Sequence, residues 1–116
     1  METTVYHNRR CSKSRQTVEI LERQGIEFNT VEYLKSPPDL QTLTAIAAKL
    51  DRPVADMVRA DEPQWVALGL DLAQLDDAMI LEALARCPKA LQRPIVIHGS
   101  DARIGRPPEA VLDLFS

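Results

Sequence analysis

The residues of this chain best suited to chemistry lie in one stretch, His7-Asn8-Arg9-Arg10-Cys11-Ser12-Lys13-Ser14-Arg15. Cysteine attacks as the thiolate, and its surroundings decide how much thiolate exists. The residues just before, Thr3-Thr4-Val5-Tyr6, are β-branched and aromatic and read as a strand. The residues just after carry Thr17, Val18 and Leu21 on one side, end at Gly25 and read as a helix. Cys11 therefore falls in a strand-to-helix turn, at or just before the helix N-terminus. A thiol there faces unpaired backbone N–H groups and the positive end of the helix dipole, with Arg10, Lys13 and Arg15 adding charge. The same donors and cations can seat an anion. The pattern points to a reactive cysteine beside an oxyanion seat. His7, four residues earlier, can support the thiolate by charge or hydrogen bonding, although lone histidines at strand ends are usually structural.

The elements that must position this loop follow in order. Glu27 to Leu34 alternates loosely and reads as a second strand, which makes a βαβ unit with parallel strands and a right-handed crossover. Pro37-Pro38 breaks the pattern and Asp39 caps a helix over 39–50, with Leu40, Leu43, Ile46, Ala47 and Leu50 at helical spacing. Short helices follow over Val54–Arg59 and from Asp61-Glu62-Pro63 to Gly69. Asp76 then caps a helix carrying Met79, Ile80, Ala83 and Leu84 up to Pro88. The middle, roughly 37–92, is expected to be all helical. Ile95-Val96-Ile97, the turn Gly99-Ser100-Asp101 and Ala102 to Gly105 predict a hairpin. Pro107-Pro108-Glu109 opens a last helix with Val111, Leu112 and Phe115 inward. The expected fold is α/β: βαβ plus ββα in a four-stranded mixed sheet, one domain over 1–116, with a helical insertion.

Composition narrows the function classes. The chain has 116 residues, 45% of them hydrophobic, enough for one core. It shows no run of the roughly 18 apolar residues that a membrane span needs and no leader pattern, so a cytoplasmic protein is expected. A net charge of −3 argues against a general nucleic-acid binder. Two cysteines and two histidines are too few for a disulfide framework or a metal site. Cys87, at a helix end before Pro88, reads as a small core residue. His98 reads as an exposed hairpin residue, Trp65 as packing for the insertion, and Asp76-Asp77 as a helix start rather than an acid–base pair.

Three further arginines end elements. Arg59 closes a short helix, Arg93 precedes Pro94 and the third strand, and Arg106 follows the fourth strand and precedes Pro107. Arginine's planar fork matches a tetrahedral oxyanion. Arg93 and Arg106 flank a hairpin beside the presumed loop and are taken as functional, whereas this argument constrains Arg59 less. A proline opening a strand removes a ladder donor and can adopt the cis form, although trans is the default from the residues alone.

Taken jointly, His7-Asn8-x-x-Cys11, Ser14-Arg15, Arg59, Arg93-Pro94-Ile95-Val96 and Arg106-Pro107 ahead of a final helix resemble the glutaredoxin-coupled arsenate reductase family over essentially the whole chain. The resemblance implies a thioredoxin-like fold with a helical insertion and a cis Pro94. It implies that Cys11 is the nucleophile, that Arg59, Arg93 and Arg106 hold arsenate or a similar oxyanion with Ser14 and Arg15 contributing, and that His7 lies near the thiolate. No cofactor is bound in such an enzyme; glutathione and glutaredoxin are external reductants. Ser14 stands where a dithiol motif would place a resolving cysteine, so external thiols are required. A monomer with no nucleic-acid or membrane partner is expected. Two alternatives stay open: a monothiol oxidoreductase with another substrate, and an RNA-polymerase-binding regulator of the Spx type. A cysteine phosphatase would want an arginine six positions after Cys11, where Thr17 stands.

Overall fold

The computed structural model describes residues 1–115; Ser116, the end of the expected domain, lies outside the described residues. Its frame is a four-stranded sheet in the order β2-β1-β3-β4, made of β1 (Thr3–His7), β2 (Asn29–Glu32), β3 (Ile95–His98) and β4 (Asp101–Ile104). β1 pairs with β2 in parallel and with β3 antiparallel, and β3 with β4 antiparallel. The mixed βαβ plus ββα sheet is the expected one. β2 is shorter than the expected 27–34, because an edge strand pairing only with the last four residues of β1 has no further ladder to join.

Period-2 alternation sends neighbouring β1 side chains to opposite faces, and each face has its own core. Val5 joins Leu21 of α1 (Ser12–Arg23), Val96 and Val111 on one side. Tyr6 joins the larger cluster on the other, which holds Ile95, Ile104 and the apolar residues of α2 (Leu40–Lys49), α3 (Pro63–Val66) and α4 (Asp77–Arg86). Both long insertion helices start as the sequence predicts: Asp39 accepts from Thr42 N–H and Asp76 from Met79 N–H, each at 2.8 Å. Helix α1 ends at Gln24, and Gly25 takes φ +69°, the left-handed conformation that lets the chain turn back without a Cβ penalty.

Two expectations need correction. The middle is not purely helical: Val58 and Leu91 form an antiparallel bridge, closed by Arg59 N–H to Ala90 O and Gln92 N–H to Met57 O, each at 2.7 Å. Single 3-10 turns at Val54–Met57, Leu72–Gln74 and Pro88–Ala90 join the α-helices. The last helix, Pro108–Phe115, is 3-10 rather than α. Its apolar residues Val111 and Leu114 sit three apart, the spacing that eclipses in a three-residue turn. Val111 is buried as expected, while Leu112 and Phe115 are only half-buried.

Candidate active site

The register of the sheet brings four chain segments to one end. His7 closes β1 opposite Glu32 of β2, so the Cys11 loop and Tyr33 leave the sheet side by side. Tyr6 pairs with Ile95, which sets Arg93-Pro94 next to the same loop. Ile95 pairs in turn with Ile104, which sets Gly105-Arg106 beside Pro94. Gly105 N–H donates to Pro94 O at 2.9 Å, and Arg106 Nε donates to Arg93 O at 2.9 Å. Gly105 is required by space: a Cβ there would lie 2.6 Å from Thr17 Oγ1 and 2.7 Å from Pro94 Cγ. The Arg93–Pro94 peptide bond is cis, as the resemblance implies; the Arg106–Pro107 bond is cis as well, which was not expected.

Cys11 occupies the N-cap of α1, where its extended backbone (φ −91°, ψ 123°) hands the chain into the helix. The thiol is half-buried, and its sulfur accepts no capping hydrogen bond of good geometry. Burial pushes its pKa up, but the backbone N–H groups of Ser14 and Lys13 and the Arg93 guanidinium outweigh that and hold it below the ordinary thiol value. Arg106 Nη2 also points at the sulfur, 3.6 Å away. The sulfur thus lies at a helix terminus with its pKa lowered, and with Arg93 and Arg106 from the far end of the chain beside it.

The other site residues are placed as follows. Ser14 is fully buried; its Oγ accepts from Asn8 N–H at 3.1 Å and bonds His7 Nδ1 at 2.5 Å. Its hydroxyl is thus committed inward, while its backbone N–H is the part of Ser14 that lowers the Cys11 pKa. The Asn8 and His7 contacts together hold the Ser14 hydroxyl at the base of the loop. Burial lowers the His7 pKa, opposed by Glu32 and helped by Arg9 and Arg15. His7 is tied to the loop through the Ser14 hydroxyl. Arg15 donates from Nη1 to Arg9 O at 2.8 Å, fastening the exposed rim of the loop, and Arg9 pairs with Glu32 at 2.6 Å. Arg59 is brought to this end by the Val58–Leu91 bridge; its Nη1 lies 3.6 Å from Glu62 Oε2. A cleft of about 400 Å3 lined by His7, Arg9, Arg10, Glu32, Leu34 and Lys35 flanks the loop on the β2 side instead of opening on the sulfur.

Sequence reasoning missed the inward turn of Ser14, although Ser14, Thr17 and Leu21 share helical spacing and are all buried. It also missed Tyr33, fully buried beside the loop. The expectation of an exposed His98 is corrected: Nδ1 bonds Thr3 Oγ1 at 2.8 Å and the ring packs 4.7 Å from Phe115, centroid to centroid. Cys87 and Trp65 are core residues as read. Among the described residues no helix is long and apolar enough to cross a membrane.

A mixed sheet of this order, with a cysteine at the N-cap position of the first helix and a cis proline just ahead of the third strand, defines a protein of thioredoxin-like fold. The ArsC family model matches residues 6–114, and the chain belongs to that family. It is 42% identical to the arsenate reductase of Neisseria meningitidis over 95% of each chain. It is 39% identical to that of Haemophilus influenzae over 99% of this chain and all of the other. The solved arsenate reductase of Vibrio cholerae superposes with a TM-score of 0.91 at 40% identity, covering 98% of each chain.

Proposed function

We propose that this protein is an arsenate reductase in which Cys11 is the nucleophile. The observation that carries the reading is the Cys11 sulfur itself, lowered in pKa at a helix N-terminus with Arg106 Nη2 3.6 Å away, in a chain so similar along its length to proteins of that name. The Cys11 thiolate attacks arsenic(V), and one oxygen of arsenate leaves as water or hydroxide. Arg93 and Arg106, with Arg59, neutralise the oxyanion, and the backbone N–H groups of the α1 terminus stabilise the charge as the S–As bond forms. Two external thiols then supply two electrons: arsenic(V) becomes arsenic(III), the thiols leave as a disulfide, and Cys11 returns to the thiol. Glutathione and glutaredoxin are the proposed donors in a cytoplasmic, monomeric enzyme, because the loop offers Ser14 and no second cysteine.

The test is NADPH consumption coupled through glutathione reductase, with glutathione, glutaredoxin and arsenate, on wild type and Cys11→Ser. Arsenate-dependent turnover lost in a folded Cys11→Ser protein is the expected result. Turnover retained in that variant would remove Cys11 from the mechanism, and none in reduced, folded wild type would remove arsenate as the substrate.

A further inference from the structure

One polar atom at the sheet end has no role in the mechanism above. Tyr33 directly follows β2, and the pairing of Glu32 with His7 sets it beside Asn8. Its side chain is 0% exposed and packs in the larger core. The hydroxyl oxygen is sealed from solvent and closes no hydrogen bond of good geometry with a described residue. Packing asks only for the ring. A buried O–H without an acceptor costs free energy that phenylalanine would not.

The surroundings of that hydroxyl belong to the site. Burial raises its pKa, Arg93 lowers it, the Asn8 side chain lowers it further, Cys11 raises it and Arg59 lowers it. Asn8 is oriented by Arg10, whose N–H donates to Asn8 Oδ1 at 3.0 Å, so the Asn8 amide nitrogen is the group free to turn toward the phenol oxygen. A phenol that faces a donor with its oxygen keeps its own proton to give. Arg93 Nε is a second buried donor with no partner of good geometry. Two unspent donors beside one thiolate call for an acceptor with several oxygens.

We propose that Tyr33 is a substrate-contact residue, its hydroxyl donating a hydrogen bond to an oxygen of the tetrahedral oxyanion that Arg93 holds against Cys11. The inference rests on the oxyanion reading above and extends it. Because the phenol stays protonated, it adds a neutral, directional donor to a site otherwise built from cations. It reads the position of an oxygen, where an arginine reads charge.

The experiment is protection of Cys11 from iodoacetamide by arsenate, without reductant, comparing Cys87→Ala with Cys87→Ala/Tyr33→Phe. The substitution removes one oxygen that makes no good bond within the protein, so the variant is expected to fold with an unchanged or higher Tm. Arsenate should protect the Tyr33→Phe protein about tenfold more weakly, the loss of one hydrogen bond to a charged group. Its alkylation rate without arsenate should stay the same. Equal protection in both proteins would overturn the role of Tyr33 and leave the oxyanion reading intact. A changed rate without arsenate at equal protection would assign Tyr33 to the loop's structure instead. If arsenate fails to protect the Tyr33-containing protein, the oxyanion reading falls and this proposal with it.

Discussion

Arg106→Ala removes a cation that the structure places against the reactive sulfur. A unit charge 3.6 Å from a thiolate is worth about 1 kcal/mol at the dielectric of water and about 5 kcal/mol at an effective constant near 20. Cys11 is only half-buried, and Arg93 and the helix N–H groups remain, so the lower end of that range applies. A loss of roughly 1–2 kcal/mol raises the thiol pKa by about one unit. The assay is the pH dependence of Cys11 alkylation by iodoacetamide; Cys87, 3% exposed, stays silent. The substitution also frees Arg93 O from Arg106 Nε, so Arg106→Lys is the companion variant. Lysine keeps the charge and loses the fork, so it should restore much of the thiol pKa while leaving arsenate kcat/KM well below wild type. A midpoint in Arg106→Ala within about 0.3 unit of wild type, roughly a twofold effect, would refute the view that this arginine activates the sulfur.

Two further outcomes are expected. Gly105→Ala places a methyl 2.6 Å from Thr17 Oγ1 and 2.7 Å from Pro94 Cγ. Overpacking of this kind costs about 1–3 kcal/mol, which thermal or urea unfolding would register, and arsenate turnover should fall as the Pro94 strand shifts. An unchanged Tm would mean that the two elements part freely. For His7 the folded pKa lies below the unfolded one. Above the unfolded value of about 6.5 both states are neutral and the full contribution to stability is present. As pH falls through that value toward the lower folded one, the unfolded chain takes up the proton first and stability is lost. The Tm of wild type should therefore drop on acidification below about pH 6.5. The drop should be smaller in His7→Asn, and equal slopes would place the titrating group elsewhere.

Much of this arrangement was legible because its signals are local. A β-branched run, a cysteine, a helix face ending at Gly25, and aspartates ahead of apolar helices each declare themselves within a few residues. Arg93 and Arg106 were readable for a related reason, since each adjoins a strand end marked by proline. What stayed hidden depends on register. That Tyr33 stands beside Cys11 follows from pairing Glu32 with His7, and no property of residues 27–34 alone fixes that pairing. The commitment of the Ser14 hydroxyl to His7 is likewise a matter of which helix face the sheet covers. The 3-10 form of the last helix was lost because a short apolar pattern with Val111 and Leu114 fits spacings of three and four nearly alike.

The nucleophile stands near the start of the chain and its two guanidinium partners near the end, at positions 93 and 106. A chain emerging from the ribosome exposes Cys11 first, and for most of synthesis neither arginine exists beside it. Until β3 and β4 close on β1, the thiol lacks those two cations and keeps more of the sluggishness of a free cysteine toward oxidants and electrophiles. The α1 terminus gives the thiol part of its reactivity locally, and the closed sheet adds the rest through the two arginines.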